Sequence, residues 1–210
     1  MEEASARRPE GPDARERILR AATELIASDG IDEVRIARVA TRAGASSALV
    51  HHYFSTREEL LEQALIHSFE QAGEDRFSEP PEAEESASDG LARAIADCLP
   101  LPGPQEREWV LWVELWLRAV RDPELRPVAA RLYVRYRKWL AELIRSGVAS
   151  GEFRSDADPE AVADVAMALL DGAGIRAMLE DPAMDVETAR ALVAERLAEE
   201  LGIEAAALGG

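Results

Sequence analysis

The sequence predicts an all-α fold of about nine helices. A three-helix N-terminal domain with a helix-turn-helix motif would precede a larger helical domain. Ala, Leu, Glu and Arg dominate the composition, and these residues favour helix. Apolar residues recur at helical spacing along most of the chain. Start and stop signals such as Asp158-Pro159 and Gly202 divide this pattern into separate helices.

Caps, prolines and glycines give the predicted bounds of each helix. Apolar stripes support the first helix through Ile18, Ala22 and Ile26, and Asp29-Gly30 ends it. The helices are expected over residues 13–28, 35–42, 47–52, 56–72, 91–99, 105–120, 122–150, 158–179 and 185–201. Residues 1–12 are expected to form a disordered arm, 13–57 the DNA-binding domain, and 58–210 the effector-binding and dimerisation domain. An acidic, Ser-rich stretch around Pro80-Pro81 predicts a linker over 73–90.

The segment from Val34 to Phe54 carries the strongest functional signal. Gly44 can adopt the left-handed conformation that ends one helix and turns the chain toward the next. Ser46 is a good N-cap for the second helix. Thr56 and Glu59 have the spacing of a capping box at the start of the following helix. This arrangement predicts a helix-turn-helix whose second helix enters the major groove of DNA.

Polar and basic side chains surround that second helix and supply candidate DNA contacts. Base edges would be reached by short side chains, while Val50, or alternatively Leu49, would be core. The candidates for base contacts are Ser46, Ser47, Ala48, Leu49 and His52. The candidates for phosphate contacts are Arg35, Arg42, Ser46, His51, Tyr53 and Arg57.

These motifs resemble the DNA-binding domain of the tetracycline-repressor (TetR) family of regulators. The similarity is carried by ARERILRAATELIASDGID, by VATRAG and by ASSALVHHYFSTREELL, within the first sixty-five or so residues. The C-terminal part is similar to the choline-responsive branch of that family, through REWVLWVELWLRAVRDPEL and the SGEF turn before ADPEAV. The resemblance implies an all-helical homodimer whose C-terminal domain binds a small effector. Arg35 departs from the family's usual Thr or Ser, His51 from Tyr, and Arg57 from Lys.

The charge distribution is compatible with DNA binding despite a net charge of −17. Residues 1–57 contain nine Arg and nine acidic residues, so their net charge is zero and the whole net charge of −17 comes from residues 58–210. Local arginine placement, and not the total, decides phosphate binding. A lone cysteine, Cys98, fits a reducing cytoplasm and is interpreted as a structural thiol. The sequence predicts no membrane segment and no cofactor. It also predicts no metal site, since His51 and His52 are neighbours that point apart on a helix and cannot chelate one ion together.

Aromatic residues of the C-terminal half supply a candidate effector site. Trp109, Trp112 and Trp116 share one helical face, and Glu114 lies between them in sequence. A carboxylate beside indoles could hold a cationic ligand through charge and cation–π contact, although plain core packing is an alternative. The candidate ligand-binding residues are Trp109, Trp112, Glu114, Trp116, Tyr133 and Trp139.

The last two helices offer more apolar surface than two helices alone can bury. The resemblance implies that they pair with a second copy across a two-fold axis as a four-helix bundle. The candidate interface residues are Val165, Leu169, Ala173, Met178, Leu192 and Leu197. The sequence therefore predicts a homodimeric repressor that binds a palindromic double-stranded operator and is relieved by an unknown small molecule. A DNA-binding dimer without an effector, and a helical enzyme with an acidic pocket, are the alternatives.

Overall fold

The computed structural model describes residues 12–78, 85–123 and 125–209. Within these ranges the chain forms nine α-helices, two 3₁₀ helices and no strand, which confirms the predicted all-α class. Contacts between Cα atoms divide the chain into an N-terminal unit, Met1–Ala72, and a C-terminal unit, Gly73–Gly210. The predicted arm lies, up to residue 11, outside the described residues, as does Pro80-Pro81 of the predicted linker.

Four α-helices and one 3₁₀ helix begin the chain: α1 (Pro12–Asp29), a 3₁₀ turn (Ile31–Glu33), α2 (Ile36–Ala43), α3 (Ser47–Tyr53) and α4 (Arg57–Ser78). The core of the N-terminal unit contains fully buried Ile18, Ile26 and Phe54. The Thr23 hydroxyl of α1 donates to the carbonyl of Ala64 in α4 at 3.0 Å, which joins these two helices. The N-terminal unit therefore extends to Ala72, past the predicted domain end at residue 57.

Five α-helices and one 3₁₀ helix follow: α5 (Ala87–Asp97), α6 (Pro104–Arg121), α7 (Arg126–Ser150), α8 (Pro159–Met178), α9 (Val186–Leu201) and a 3₁₀ turn (Ala205–Leu208). Their shared core is apolar and includes Leu91, Leu140, Ile144, Val193 and Leu197, all fully buried. α7 packs on α8, and α8 packs on α9. The predicted caps Asp158 and Asp185 accept hydrogen bonds from backbone N–H groups at the starts of α8 and α9.

Three helices, α4, α5 and α7, differ from their predicted bounds by more than one residue at one or both ends. α4 continues to Ser78 instead of ending at residue 72. α5 begins at Ala87, before the predicted residue 91, because the Ser86 side chain accepts from the N–H of Asp89 and caps it. Asp122 closes α6 through its N–H bond to Arg118, so it does not begin α7. α7 starts at Arg126, with Pro127 in its first turn.

Candidate functional site

The turn between α2 and α3 has the geometry that the sequence predicts. Gly44 adopts φ 63° and ψ 37°, the left-handed conformation that closes α2. The Ser46 hydroxyl accepts from the N–H of Leu49 at 3.1 Å and caps α3. The Thr56 hydroxyl likewise accepts from Glu59 N–H at 3.0 Å, while the Glu59 carboxylate accepts from Ser55 N–H at 2.8 Å. Side-chain hydrogen bonds thus cap the starts of both α3 and α4.

One face of α3 is buried and the other is open to solvent. Val50 is fully buried, in agreement with its predicted place in the core, and Leu49 and Tyr53 are half-buried. The exposed residues at the start and along the helix are Ser46, Ser47, Ala48, His51 and His52. This exposed face carries small and polar groups that a duplex groove can approach closely.

Two of the predicted phosphate-binding arginines lie at the surface near α2. The Arg35 guanidinium bends back toward the carbonyls of Asp32 and Val34, and its side chain does not cap α2. Arg42 pairs with Glu24 of α1 at 2.6 Å, and both side chains are about half exposed. Exposed pairs of this kind contribute little stability, so a phosphate can replace the carboxylate at small cost.

Arg57, the third predicted arginine, is engaged within the N-terminal unit. Its Nε donates to the carbonyl of Val34 at 2.7 Å, and its Nη2 donates to those of Ile31 at 2.6 Å and Asp32 at 3.2 Å. Its remaining amino group lies 3.6 Å from Glu58. The planar guanidinium fork therefore ties the start of α4 to the 3₁₀ turn before α2, a positioning role that the sequence does not reveal.

Four helices of the C-terminal unit surround a cavity, which we call the aromatic pocket. Its volume, counting the part open to solvent, is about 440 Å³. The lining residues are Asp97, Cys98, Glu108, Trp109, Trp112, Trp116, Tyr133, Tyr136, Met167, Leu170 and Asp171. No Lys, Arg or His is among these described lining residues, whereas three are carboxylic acids. The pocket is thus aromatic and acidic.

The aromatic rings of the pocket form a continuous wall. The Trp116 ring centroid lies 5.9 Å from those of both Trp109 and Trp112. Trp112 in turn lies 5.8 Å from Tyr133 and 5.6 Å from Tyr136. Trp109 and Trp116 meet edge to face, at 88°. Several ring faces in one small cavity suit a cation, because the faces carry partial negative charge.

Two tyrosine–carboxylate pairs form the polar part of the pocket. The Tyr133 hydroxyl donates to Asp171 Oδ2 at 2.7 Å, and the Tyr136 hydroxyl donates to Glu108 Oε1 at 2.9 Å. Burial raises the pKa of Asp171, and the hydrogen bond from Tyr133 partly offsets this rise. Burial and then Asp171 raise the pKa of Tyr133, so its hydroxyl keeps its proton. A cation in the pocket would favour the charged form of Asp171 and replace lost hydration.

Trp109 is packed as well as pocket-lining. Its Nε1 donates to the Cys98 carbonyl at 3.2 Å, and only 6% of the residue is exposed. A Cβ atom added at Gly174 of α8 would lie 2.2 Å from the Trp109 ring, so the absence of a side chain there makes room for the indole. Both sequence interpretations of this tryptophan, core and wall, therefore apply at once.

Two of the predicted ligand-binding residues do not line the aromatic pocket. Glu114 is not among the lining residues, because positions two apart on a helix are about 200° apart and it points away from Trp112 and Trp116. Trp139 also lies outside the lining: it packs against the core of the C-terminal unit. Glu108, four residues before Trp112, occupies the acidic position instead, and the same i, i+4 rule could have identified it. Asp171 comes from α8 and had no local signal.

The predicted interface residues separate into two groups. Ala173 and Leu197 are buried in the core of their own unit, which corrects the prediction that they face a partner. Val165, Leu169 and Met178 are half-buried, and Leu192 is 39% exposed. Leu179, which follows α8 directly, is 73% exposed.

No group of three or more His, Cys, Asp or Glu side chains in the described residues is arranged to hold a metal ion. Among the described helices, none has both the length and the hydropathy needed to cross a bilayer.

Family models match both parts of the chain. The model for bacterial regulatory proteins of the tetR family matches residues 18–64. The model for the C-terminal domain of BetI-type transcriptional repressors matches residues 87–202, more than half of the chain. The first match covers α2 and α3, and the second covers every residue of the aromatic pocket.

Similar proteins extend over most of the chain. The regulator BetI 1 of Chromohalobacter salexigens is 29% identical over 198 residues, covering 90% of this chain and 91% of its own. BetI of Brucella canis is 27% identical over 190 residues, covering 90% and 92%. The crystal structure of a putative transcriptional regulator from Saccharomonospora viridis in complex with choline is 31% identical in sequence with a TM-score of 0.78. The match covers 90% of this chain and 97% of that one. The crystal structure of a putative TetR-family regulator from Rhodococcus sp. is 29% identical in sequence with a TM-score of 0.72, and the match covers 90% of this chain and 98% of that one.

Proposed function

Since the chain belongs to the tetR family of regulators and carries a BetI-type repressor domain, we propose that it is a cytoplasmic homodimeric repressor released from its operator by a quaternary ammonium compound. The observation that carries the proposal of a cationic effector is the aromatic pocket, with three carboxylic acids and no basic residue in its described lining. The choline bound to the Saccharomonospora viridis regulator is the probe compound that this similarity suggests.

The exposed face of α3 is the proposed reader of the operator. Its short side chains allow close approach to base edges, and Leu49 can contact a thymine methyl group. Arg35, Arg42, His51 and Tyr53 are the proposed phosphate contacts around it. One such helix reads only a few base pairs, so two copies related by a two-fold axis would read a palindrome.

The proposed dimer contact uses the outward sides of α8 and α9. Val165, Leu169 and Met178 of α8 and Leu192 of α9 retain accessible apolar surface, and Leu179 adds to it. Apolar side chains exposed together on neighbouring helices are typical of interfaces. Ala173 and Leu197 are left out of the proposed contact because they are already buried.

The proposed mechanism is a shift between two states of the dimer. Effector in the aromatic pocket would favour the state in which the two α3 helices do not match both half-sites. A hundredfold loss of operator affinity requires about 2.7 kcal/mol of preference for that state. The cavity supports this proposal over a DNA-binding dimer without an effector, because such a dimer needs no open space between these helices.

Selection of bound fragments from random double-stranded DNA, followed by titration with choline, tests the proposal. We expect a palindrome whose half-sites are about one helical turn or slightly more apart. Choline is expected to release it, and sodium chloride at the same ionic strength controls for screening. Recovery of no preferred sequence, or a monomer in ultracentrifugation at micromolar concentration, would contradict the dimeric operator reader. Release by salt and choline alike would contradict the effector.

The salt dependence of operator binding separates phosphate contacts from positioning residues. Each phosphate contact contributes roughly one to the slope of log affinity against log salt. Arg42→Ala is expected to reduce the slope by about one, because its guanidinium is about half exposed and pairs with the exposed carboxylate of Glu24. Arg57→Ala is expected to weaken binding with little change in slope, since that guanidinium binds three backbone carbonyls. An equal loss of slope in both variants would assign Arg57 to phosphate.

A further inference from the structure

We propose that operator binding is coupled to proton uptake by His51, so that the protein binds its operator more tightly as the pH falls from 8 to 6. The inference rests on the proposed function, because it presumes that α3 lies in the major groove. It adds to that function a response to pH that is separate from the effector in the aromatic pocket. It also gives the two histidines of α3 different roles.

Position on α3 distinguishes the two histidines, both of which are exposed. Val50 is fully buried and marks the side of the helix that faces the core. Successive residues of an α-helix are about 100° apart, so His51 lies on the flank of α3 and His52 lies nearly opposite Val50. With α3 in the groove, the side opposite Val50 faces the base edges, and the flank faces the sugar-phosphate backbone with its full negative charges.

The His51 side chain is unengaged in the protein. It forms no hydrogen bond, ion pair or ring contact within the described residues. The His52 ring, by contrast, meets the Tyr53 ring edge to face at a centroid distance of 5.2 Å. His51 can therefore engage a phosphate without giving up an existing contact.

The charged groups around α3 leave His51 without an anion of its own. Helices α1 and α2 pack against α3, and α4 follows it in sequence. The carboxylates described in α1, in α2 and in the first turn of α4 are Glu16, Glu24, Asp29, Glu58 and Glu59. The cations described there are Arg15, Arg17, Arg20, Arg38, Arg42 and Arg57. All of these carboxylates except Glu16 are paired with or bonded to groups other than His51. The anion that would hold a proton on His51 thus arrives with the DNA.

The chemistry of the imidazole ring supplies the coupling. Histidine is the side chain that ordinarily gains or loses a proton between pH 5 and 8. A neutral imidazole can donate one hydrogen bond to a phosphate oxygen, whereas the protonated ring adds a positive charge beside it. A phosphate next to His51 favours the protonated ring, so the complex holds more protons than the separate molecules. By linkage, the association constant then rises as the pH falls.

Fluorescence anisotropy tests this proposal with the operator recovered by selection from random DNA, at pH 8 and pH 6 and at constant ionic strength. We expect the affinity of the unsubstituted protein to rise on the order of tenfold or more at pH 6, because both copies in the dimer take up a proton. His51→Gln keeps a neutral hydrogen-bond donor at an exposed position but cannot take up a proton. Its affinity should change by less than about threefold between the two pH values.

The other two of the three histidines in the chain are the matched controls. His52→Gln changes the side that faces the base edges, and His67→Gln changes a half-buried position of α4. Both variants should keep the pH effect of the unsubstituted protein. Loss of the effect in His52→Gln, with retention in His51→Gln, would overturn the proposal. Equal affinity of the unsubstituted protein at both pH values would also overturn it and leave the operator reader standing. Recovery of no preferred sequence at either pH would instead remove the proposed function.

The salt dependence of binding provides a second measurement, because it counts charges at the interface. The slope of log affinity against log salt should be steeper at pH 6 than at pH 8 by about two, one for His51 in each copy. In His51→Gln the slope should be the same at both pH values. Calorimetric titration with the operator at pH 7, in Pipes and in Tris buffer, counts the protons directly, and we expect about one per dimer. A slope independent of pH in the unsubstituted protein would contradict the proposal.

Discussion

The N-terminal and C-terminal units present their candidate functional side chains in opposite ways. Around α3 these side chains come from a short run of sequence and most of them are exposed, while Val50 of the same helix is fully buried. The aromatic pocket draws on residues from Asp97 to Asp171, and its tryptophans also fill the core: Trp109 is 6% and Trp112 is 9% exposed. An exposed residue of α3 without a capping bond, such as Ser47, can thus change with little effect on folding, whereas pocket residues can change only with the packing around them.

The largest expected effect tests the buried side of α3. Val50→Asp places an unpaired carboxylate in the core, which costs several kcal/mol, on the order of 3 or more. Operator affinity in a fluorescence anisotropy titration should fall more than about hundredfold, while choline affinity changes by less than about twofold because the pocket belongs to the other unit. Val134→Asp, at a valine that is 65% exposed, is the control and should leave both affinities intact.

A smaller effect tests the dual role of the pocket wall. Gly174→Ala places a Cβ atom against the Trp109 ring, so it should lower the free energy of unfolding by about 1–3 kcal/mol and weaken choline binding. Gly172→Ala in the same helix is the control, since nothing lies within 4 Å of its added Cβ. Urea unfolding and calorimetric titration measure both variants. Equal unfolding free energies and choline affinities in Gly174→Ala and Gly172→Ala would show that the Trp109 ring can move away from the added Cβ atom. Trp109 would then line the pocket without being a fixed part of the core.

The cap of α3 provides a test of purely local structure. Ser46→Ala removes the acceptor for Leu49 N–H and should lower the free energy of unfolding by about 1 kcal/mol. Ser47→Ala, one residue later and also exposed, has no capping bond and should change stability by less than about 0.5 kcal/mol. Thermal unfolding followed by circular dichroism compares the two. A larger loss at Ser47 would contradict the assigned cap.

The smallest effect concerns a cap that comes from a distant part of the chain. The Glu152 carboxylate accepts from the N–H groups of Ala87 and Ser88 at the start of α5, at 3.0 and 3.1 Å. Hydrogen bonds lower the pKa of Glu152: the N–H of Ala87 has the largest effect, and the N–H of Ser88 and the hydroxyls of Ser150 and Ser88 add to it. Together they outweigh desolvation, which acts to raise this pKa. The charged form therefore stabilises the fold above the unfolded-state pKa, and this contribution is lost as pH falls through the lower folded-state pKa.

Glu152→Gln should accordingly be less stable than the unsubstituted protein at pH 7. The difference in urea midpoint should shrink as the pH is lowered below about 4.5, the ordinary pKa of the carboxyl. Glu142→Gln, at an exposed glutamate of α7 paired within its own helix to Arg145, is the comparison at a position without a capping role. A difference that stays constant from pH 7 to pH 3.5 would mean that the charge of Glu152 is not involved.

The sequence alone determined those features that depend on neighbours along the chain. The left-handed Gly44, the caps Ser46, Asp158 and Asp185, and the burial of Val50 all follow from spacing of a few residues, because helix capping and helical periodicity are local. For the same reason, the clustering of three tryptophans on α6 could be predicted. The i, i+4 rule would also have selected Glu108 over Glu114.

Only the tertiary structure decided which side chains meet across helices. Asp171 reaches Tyr133 from 38 residues away, Arg57 reaches the carbonyls of Ile31 and Val34, and Gly174 makes room for Trp109. The tertiary structure likewise places Ala173 and Leu197 in the core of their own unit. The apolar stripes in the sequence could not distinguish such core residues from interface residues. Amphipathic periodicity predicts that the apolar face of a helix is buried. Whether its own unit or a partner chain buries that face depends on how helices distant in sequence pack together.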